Sequence, residues 1–153
     1  MGDFVRHASR LPGYLARLET CPRCTARTLP RSVPASGIYL FSENGANLYV
    51  GRTRRLRERV QEHCRPSSKV GTAAFAVLLA RRSTGLRANY RAGQGRQQLG
   101  ASDAFSAAFA RAKDRIAAME LRFVAIDDPI DQALFEVYAA LELNCSYNDF
   151  ETH

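Results

Sequence analysis

Side chains that can exchange protons or bind anions recur at short intervals in residues 36–63, SGIYLFSENGANLYVGRTRRLRERVQEH. Tyr39 and Tyr49 are ten residues apart, Arg59 follows ten residues later, and His63 follows four after that. A phenol or an imidazole can transfer a proton, and a guanidinium binds an anion through a fork of N–H donors. Each residue alone would usually serve packing or solvation, so it is the joint spacing that suggests a reaction centre.

A β-hairpin must position the two phenols. Two β-rich runs, 37–41 and 47–50, flank SENGA, which contains the turn dipeptide Asn44-Gly45. A two-residue turn would place the tyrosines on opposite faces of the sheet, whereas a three-residue loop, 43–45, would pair Tyr39 with Tyr49 on one face. Turn preference alone leaves both loops open. Because cooperating phenols need a shared face, we predict the three-residue loop.

A helix after the hairpin must position the cation and the imidazole. Thr53 is a candidate N-cap for a helix that runs to about residue 64. The predicted apolar stripe of this helix comprises Leu56, Val60 and Cys64. Arg59 and His63 lie one turn apart beside that stripe, so both are expected to face the core and the sheet.

The remaining pattern predicts an α/β protein of the α+β type, with a small three-stranded mixed or antiparallel sheet flanked by helices. Further helices are predicted at 10–20, 72–82 and 103–118, and a third strand at 119–126. A last helix begins at Pro129, with Asp128 before it. Its predicted core-facing stripe is Ile130, Leu134, Val137 and Leu141, with Glu136 off that stripe.

The charge distribution indicates a polyanionic partner. The 153-residue chain has a formal net charge of +7, and residues 1–102 hold 18 basic and 5 acidic side chains while 103–153 hold 4 and 10. No Asp or Glu occurs between His63 and Ser102. This asymmetry favours nucleic acid bound along the basic side. No apolar run approaches the ~18 residues of a membrane helix and no secretory signal is evident, so we expect a cytoplasmic protein with no membrane partner.

Four cysteines raise the question of a metal site. Cys21 and Cys24 have the spacing of half a zinc site, but no second such pair follows. Cys64 and Cys145 could complete a four-thiolate set only if the fold brought them together. We expect reduced structural thiols rather than structural zinc, and a zinc-stabilised interaction domain is kept as one alternative function.

Two short motifs resemble the signature of the GIY-YIG nuclease superfamily. The residues concerned are Gly37-Ile38-Tyr39, Tyr49-Val50-Gly51, Arg59 and His63, together with a later glutamate and asparagine that match Glu136 and Asn148. The resemblance covers roughly residues 36–150, with valine where the second motif has isoleucine. The histidine after the arginine resembles the type II restriction endonuclease members most.

The resemblance implies a metal-dependent endonuclease that hydrolyses phosphodiester bonds in DNA. It implies catalytic roles for Tyr39, Tyr49, Arg59, His63, Glu136 and Asn148, with Glu136 as the ligand of one Mg²⁺ or Mn²⁺ ion. The stretch without acidic residues predicts DNA binding by Arg87, Arg91 and Arg96, and Arg52 is a further candidate for substrate binding. Tyr49 would deprotonate water with help from His63, or His63 would be the base and Tyr49 would orient the water. The first version requires the pKa of Tyr49 to fall by about 3 units, for which Arg52, Arg59 and His63 are the candidate cations.

The predicted organisation is an N-terminal extension with the CPRC motif, 1–35, followed by a nuclease-like domain, 36–153, with a basic DNA-contact insertion at about 65–102. The main alternative is a catalytically silent nucleic-acid-binding module or accessory protein of the same fold. One active site cuts one strand, so a double-strand cut would need a homodimer or two visits, and the sequence leaves that choice open.

Overall fold

A computed structural model of the chain describes residues 2–86 and 102–150. Arg87, Arg91 and Arg96 therefore lie outside the described residues. The chain divides into two compact units, the first within residues 1–59 and 119–153 and the second within residues 60–118. Among the residues that the structure describes, no helix has the length and apolar character needed to cross a membrane.

The first unit contains a three-stranded antiparallel sheet with helices around it, as predicted. Its strands run in the order β2-β1-β3, so β1 is central. The elements in chain order are α1 (Asp3–Ala8), α2 (Leu11–Thr20), β1 (Gly37–Glu43), β2 (Ala46–Thr53), α3 (Leu56–Glu62), α4 (Ala74–Thr84), α5 (Asp103–Ala118), β3 (Glu120–Ala125) and α6 (Pro129–Glu142). The second unit contains α4 and α5, and α3 begins in the first unit and ends in the second.

The hairpin brings the two tyrosines to one face by a route that differs from the prediction. Asn44 and Gly45, with φ of 52° and 80°, form a two-residue turn, because Glu43 pairs with Ala46. The predicted three-residue loop is therefore wrong. A β-bulge then shifts the register, since Ser42 pairs with Asn47 but Phe41 pairs with Tyr49, which leaves one extra residue in β2.

The bulge places both tyrosines on one face of the sheet, which is the arrangement expected from a three-residue loop. Beyond it, Tyr39 lies opposite Gly51 and Phe41 lies opposite Tyr49. Cross-strand partners and alternate residues of one strand share a face, so Tyr39 and Tyr49 project from the same side of the sheet. The prediction of a shared face is confirmed, although the tyrosines are diagonal neighbours rather than direct partners.

The opposite face of the sheet packs against α2 and α6. The core there contains Ile38, Leu40, Val50, Val124, Leu11, Leu18, Phe135, Ala139 and Ala140. The stripe predicted to face the core from α6 is wrong for three of its four residues, because Ile130, Val137 and Leu141 are 53%, 41% and 66% exposed, while Leu134 packs against the core. The side of α6 that meets the core instead carries Phe135, Ala139 and Ala140 together with Asp131 and Gln132, which are buried because they are hydrogen-bonded.

A buried carboxylate joins the N-terminal helices to α6. Asp131 is fully buried, and it accepts hydrogen bonds from Tyr14 at 2.5 Å and from Arg10 at 3.1 Å, with His7 Nδ1 2.6 Å from its other oxygen. Burial raises the pKa of Asp131, but the bonds from Tyr14, His7 and Arg10 outweigh it and hold the pKa below its usual range. Residues 3–14 are thus tied to α6 by polar contacts as well as by packing.

The thiols of the CPRC motif lie along the free edge of β3. Cys24 exchanges both backbone hydrogen bonds with Leu121, and the Phe123 N–H donates to the Cys21 sulfur at 3.5 Å. Both cysteines are partly buried, whereas Cys64 and Cys145 are buried in different units. The motif therefore covers a strand edge that would otherwise be open to pairing with another chain.

Candidate active site

The two phenols form the centre of the site, on the face of the sheet opposite the one that packs against α2 and α6. Tyr39 is 1% exposed and Tyr49 is partly buried, with their ring centroids 6.4 Å apart. Phe41 packs edge-on against Tyr39 at 5.8 Å. Tyr39 is thus enclosed by neighbouring rings, and Tyr49 is the phenol with the greater access to solvent.

Gly37 and Gly51 lie so close to other atoms of the protein that neither position has room for a side chain. The Tyr39 ring lies directly over Gly51, its cross-strand partner, so a Cβ at position 51 would fall inside the phenol itself. A Cβ at Gly37 would collide with the backbone carbonyl of Val124 on β3. Glycine within a strand often marks such an approach, and this was the signal by which the sequence could have revealed both contacts.

Arg59, on α3, is the cation that acts on both phenols. Burial raises the pKa of Tyr39 strongly, and Tyr49 and Glu136 raise it further, while the charge of Arg59 and its side-chain hydrogen bond to Tyr39 lower it. Burial also raises the pKa of Tyr49, with Arg59 lowering it and Glu136 raising it. Both tyrosines therefore interact with the same cation and the same carboxylate.

Arg52 has a different partner from the one predicted. We expected it to lower the pKa of Tyr49, but alternation along β2 directs Arg52 away from the face that bears Tyr49. Its Nε lies 3.2 Å from Glu136 Oε2, and the two side chains are 50% and 26% exposed. The pKa of Tyr49 is raised rather than lowered in the free protein, so the expected activated phenol is not present in this state.

Glu136, on α6, fits the role of a metal ligand. Burial raises its pKa and the Arg52 guanidinium partly offsets that effect. The Glu136 carboxylate thus already forms an ion pair with one cation, the Arg52 guanidinium. A single carboxylate, with the remaining positions left to water and substrate phosphate, is a common way for proteins to bind Mg²⁺. Glu136 is therefore the residue that would hold a divalent ion here.

Asn148 binds the backbone of β2. Its Oδ1 accepts from the Val50 N–H at 2.9 Å, and its Nδ2 donates to the Val50 carbonyl at 2.8 Å. The Tyr147 N–H donates to the Leu48 carbonyl at 3.0 Å, so the chain extends the pairing along the outer edge of β2. Asn148 fixes the residue between Tyr49 and Gly51, which makes it a positioning residue in this structure.

His63 belongs to the second unit and is fully buried there. Its Nδ1 accepts a hydrogen bond from the Phe75 N–H at 3.4 Å, in the first turn of α4, where the N-cap Ala73 supplies no side-chain acceptor. An acceptor at Nδ1 places the proton of a neutral imidazole on Nε2. The predicted assistance of His63 to Tyr49 stays a prediction.

A second cluster of possible metal donors has another explanation. His7, Asp128 and Asp131 each offer one donor atom, all within 4.8 Å of one another. Asp128 caps α6 by accepting from the Ile130 and Asp131 N–H groups, and Arg10 already supplies a positive charge to Asp131. This network fastens the N-terminal helices, because both oxygens of Asp131 already have partners in His7, Arg10 and Tyr14.

Comparison with known proteins supports the assignment made from the motifs. The family model of the GIY-YIG catalytic domain matches residues 35–144, which is well over half of the chain. Neither the curated proteins nor the solved structures give a significant match. The fold has the three-stranded antiparallel sheet and flanking helices expected of this family. Taken with the paired tyrosines, the family match shows that the chain belongs to the GIY-YIG nuclease superfamily.

Proposed function

We propose that the protein is a divalent-metal-dependent endonuclease that hydrolyses phosphodiester bonds in DNA. The observation that supports this most is electrostatic: Arg59 and Glu136 come from different helices, yet both act on Tyr39 and on Tyr49. Packing of the fold does not need two phenols, a cation and a carboxylate at one place. Hydrolysis of a phosphodiester needs a proton acceptor, charge stabilisation on the phosphate and stabilisation of the leaving oxygen.

Arg59 is assigned to the scissile phosphate. In the free protein its guanidinium donates to Tyr39, and it is partly exposed. A guanidinium has five N–H donors, so one bond to a phenol leaves others for phosphate oxygens. Tyr39, held over Gly51, fixes the direction from which Arg59 approaches.

Tyr49 is assigned to the attacking water. When bound, a divalent cation at Glu136 would supply positive charge to the leaving oxygen. Balancing the charge of Glu136 also removes one of the two effects that raise the pKa of Tyr49, while the lowering effect of Arg59 remains. The Tyr49 phenol would therefore lose its proton more readily with the ion bound, which agrees with the metal dependence usual in this family.

The alternative base, His63, has a weaker structural case. Its Nδ1 accepts from the Phe75 N–H, so in the neutral ring Nε2 bears the proton. Taking a proton from water at Nε2 would first require the other tautomer and the loss of that helix cap. We therefore keep His63 in an assisting role.

DNA binding is assigned to the basic segment as well as to the site. Arg87, Arg91 and Arg96 lie in the stretch without acidic residues. Replacing all three with alanine should weaken binding and make the log–log salt dependence shallower by up to about 2.7, at roughly 0.9 for each phosphate that is no longer neutralised. An unchanged slope would remove these arginines from the DNA interface.

A plasmid assay tests the proposed activity. The purified protein should nick supercoiled DNA in Mg²⁺ and leave it intact in EDTA. Tyr49→Phe, purified in parallel, should bind the plasmid and leave it supercoiled, which excludes a contaminating nuclease. Binding without nicking by the parent protein would favour the silent nucleic-acid-binding module, and parental cleavage by Tyr49→Phe would remove Tyr49 as the base.

A further inference from the structure

Glu136 already forms an ion pair with a side chain of the protein, Arg52. Arg52 follows the second motif directly, and its Nε lies 3.2 Å from Glu136 Oε2. It thereby lies against the carboxylate that the proposed function assigns to the metal. Two cations next to one carboxylate repel each other, so binding of a divalent ion at Glu136 disfavours its contact with Arg52.

The two partners of this ion pair differ in how much each needs the other. Glu136 is 26% exposed, so its carboxylate is largely removed from water and is stabilised by a nearby positive charge. Arg52 is 50% exposed, so its guanidinium can return to water with little desolvation to recover. The arginine is therefore the partner that can leave.

We propose that Arg52 gates the metal position: its guanidinium occupies Glu136 in the free protein, leaves when a divalent cation binds, and then becomes available to a DNA phosphate. The inference rests on the proposed function, because it takes Glu136 as the metal ligand. A plain structural ion pair between β2 and α6 is the competing explanation. Partly exposed pairs shift an equilibrium by up to about five-fold, which is weak enough for a divalent ion to displace.

A cation titration without DNA tests the gate. Arg52→Ala should bind Mn²⁺ about three- to five-fold more tightly than the parent, because no guanidinium has to be displaced. Arg54→Ala is the matched control, since Arg54 is an exposed arginine two residues away and its removal changes the net charge equally. Glu136→Gln should abolish the binding in every background.

Several outcomes of this titration would overturn the gate. Equal Mn²⁺ affinity in Arg52→Ala and Arg54→Ala would mean that only the net charge matters. Weaker binding by Arg52→Ala would mean that Arg52 supports the metal site instead of competing for it. Mn²⁺ binding that survives Glu136→Gln would place the ion elsewhere.

A second experiment tests the release of Arg52 towards DNA. In EDTA, Glu136→Gln should bind a DNA duplex several-fold more tightly than the parent, because the neutral amide no longer holds the guanidinium. The same change in an Arg52→Ala background should have a clearly smaller effect. An equal effect in both backgrounds would show simple relief of repulsion by a carboxylate, and would overturn this part of the proposal.

The gate and the proposed nuclease activity can fail separately. Plasmid cleavage by the parent, with identical Mn²⁺ affinities for Arg52→Ala and Arg54→Ala, would keep the nuclease and reject the gate. Tighter Mn²⁺ binding by Arg52→Ala, in a protein that never cleaves DNA, would keep the gate and reject the nuclease.

Discussion

Replacing Asn148 with alanine removes both hydrogen bonds that its amide makes to the backbone of Val50. Each bond contributes a net of about 1 kcal/mol, so the free energy of unfolding should fall by about 2 kcal/mol. For a chain of this size the melting temperature should then fall by about 4–8 °C. Cleavage should fall too, even well below the melting temperature, because Val50 lies between Tyr49 and Gly51.

Two further variants separate the role of the amide from general effects. Asn148→Asp keeps the acceptor for the Val50 N–H but places a second oxygen against the Val50 carbonyl, so it should cost at least as much stability as alanine. Asn144→Gly is the control, because Asn144 is exposed, follows α6 with a φ of 52°, and glycine adopts that conformation without strain. It should leave stability and cleavage nearly unchanged.

Urea unfolding and a cleavage assay on the same preparations test this reasoning. An Asn148→Ala protein with parental stability would refute the claim that the amide fastens β2. Parental stability with abolished cleavage would instead indicate that Asn148 contacts the substrate, as the family resemblance implied.

Three more predictions concern stability. Glu136→Gln should raise the melting temperature at neutral pH, because burial raises the pKa of Glu136 and so disfavours its ionised form in the folded protein. This gain should vanish as the pH falls through the folded-state pKa to below 4.5, where Glu136 is protonated in both the folded and the unfolded protein. Gly51→Ala should destabilise by about 1–3 kcal/mol and impair cleavage, because the new methyl group overlaps the buried Tyr39 ring. Asp131→Asn should cost about 3 kcal/mol and increase hydrogen exchange in residues 3–20, because it leaves a buried network without its carboxylate. Since the pKa of Asp131 is lowered by folding, its contribution should be lost as the pH falls through the folded-state value.

Each of these predictions has a matched control. Glu142→Gln, at an exposed position of α6, should leave the melting temperature unchanged at both pH values. Gly13→Ala, with open space around the new Cβ in α2, should stabilise by up to about 1 kcal/mol. Asp127→Asn, also exposed, should not alter exchange near the N-terminus. A variant that behaves like its control would contradict the corresponding contact.

The position of the tyrosines shows what local sequence can and cannot determine. Alternation and the Asn44-Gly45 dipeptide were enough to predict a hairpin, and the chemistry was enough to predict a shared face. The register was not accessible, because a one-residue bulge reverses which residues share a face and leaves almost no local signal. The requirement that Tyr39 and Tyr49 act together correctly predicted their shared face, but it could not predict that a bulge rather than a three-residue loop produces it.

The predicted orientation of the last helix, α6, was wrong for a different reason. Periodicity identified α6 and its start at Pro129, where Asp128 caps it. The buried side of α6 carries Asp131 and Gln132, which are hydrogen-bonded inside the protein, so the apolar pattern indicated a different side of the helix. The ion pair of Glu136 with Arg52 and the network at Asp131 join residues 84 and more than 100 positions apart, which no local pattern reveals.

Plasmid cleavage by Glu136→Gln, measured with DNA binding on the same protein, tests the central claim most directly. The parent and the Glu142→Gln control should nick supercoiled DNA in Mg²⁺ at similar rates. Glu136→Gln should bind the DNA at least as well as the parent and leave it uncut. Cleavage by Glu136→Gln at the parental rate would contradict a reaction centre built from the paired tyrosines, Arg59 and this carboxylate.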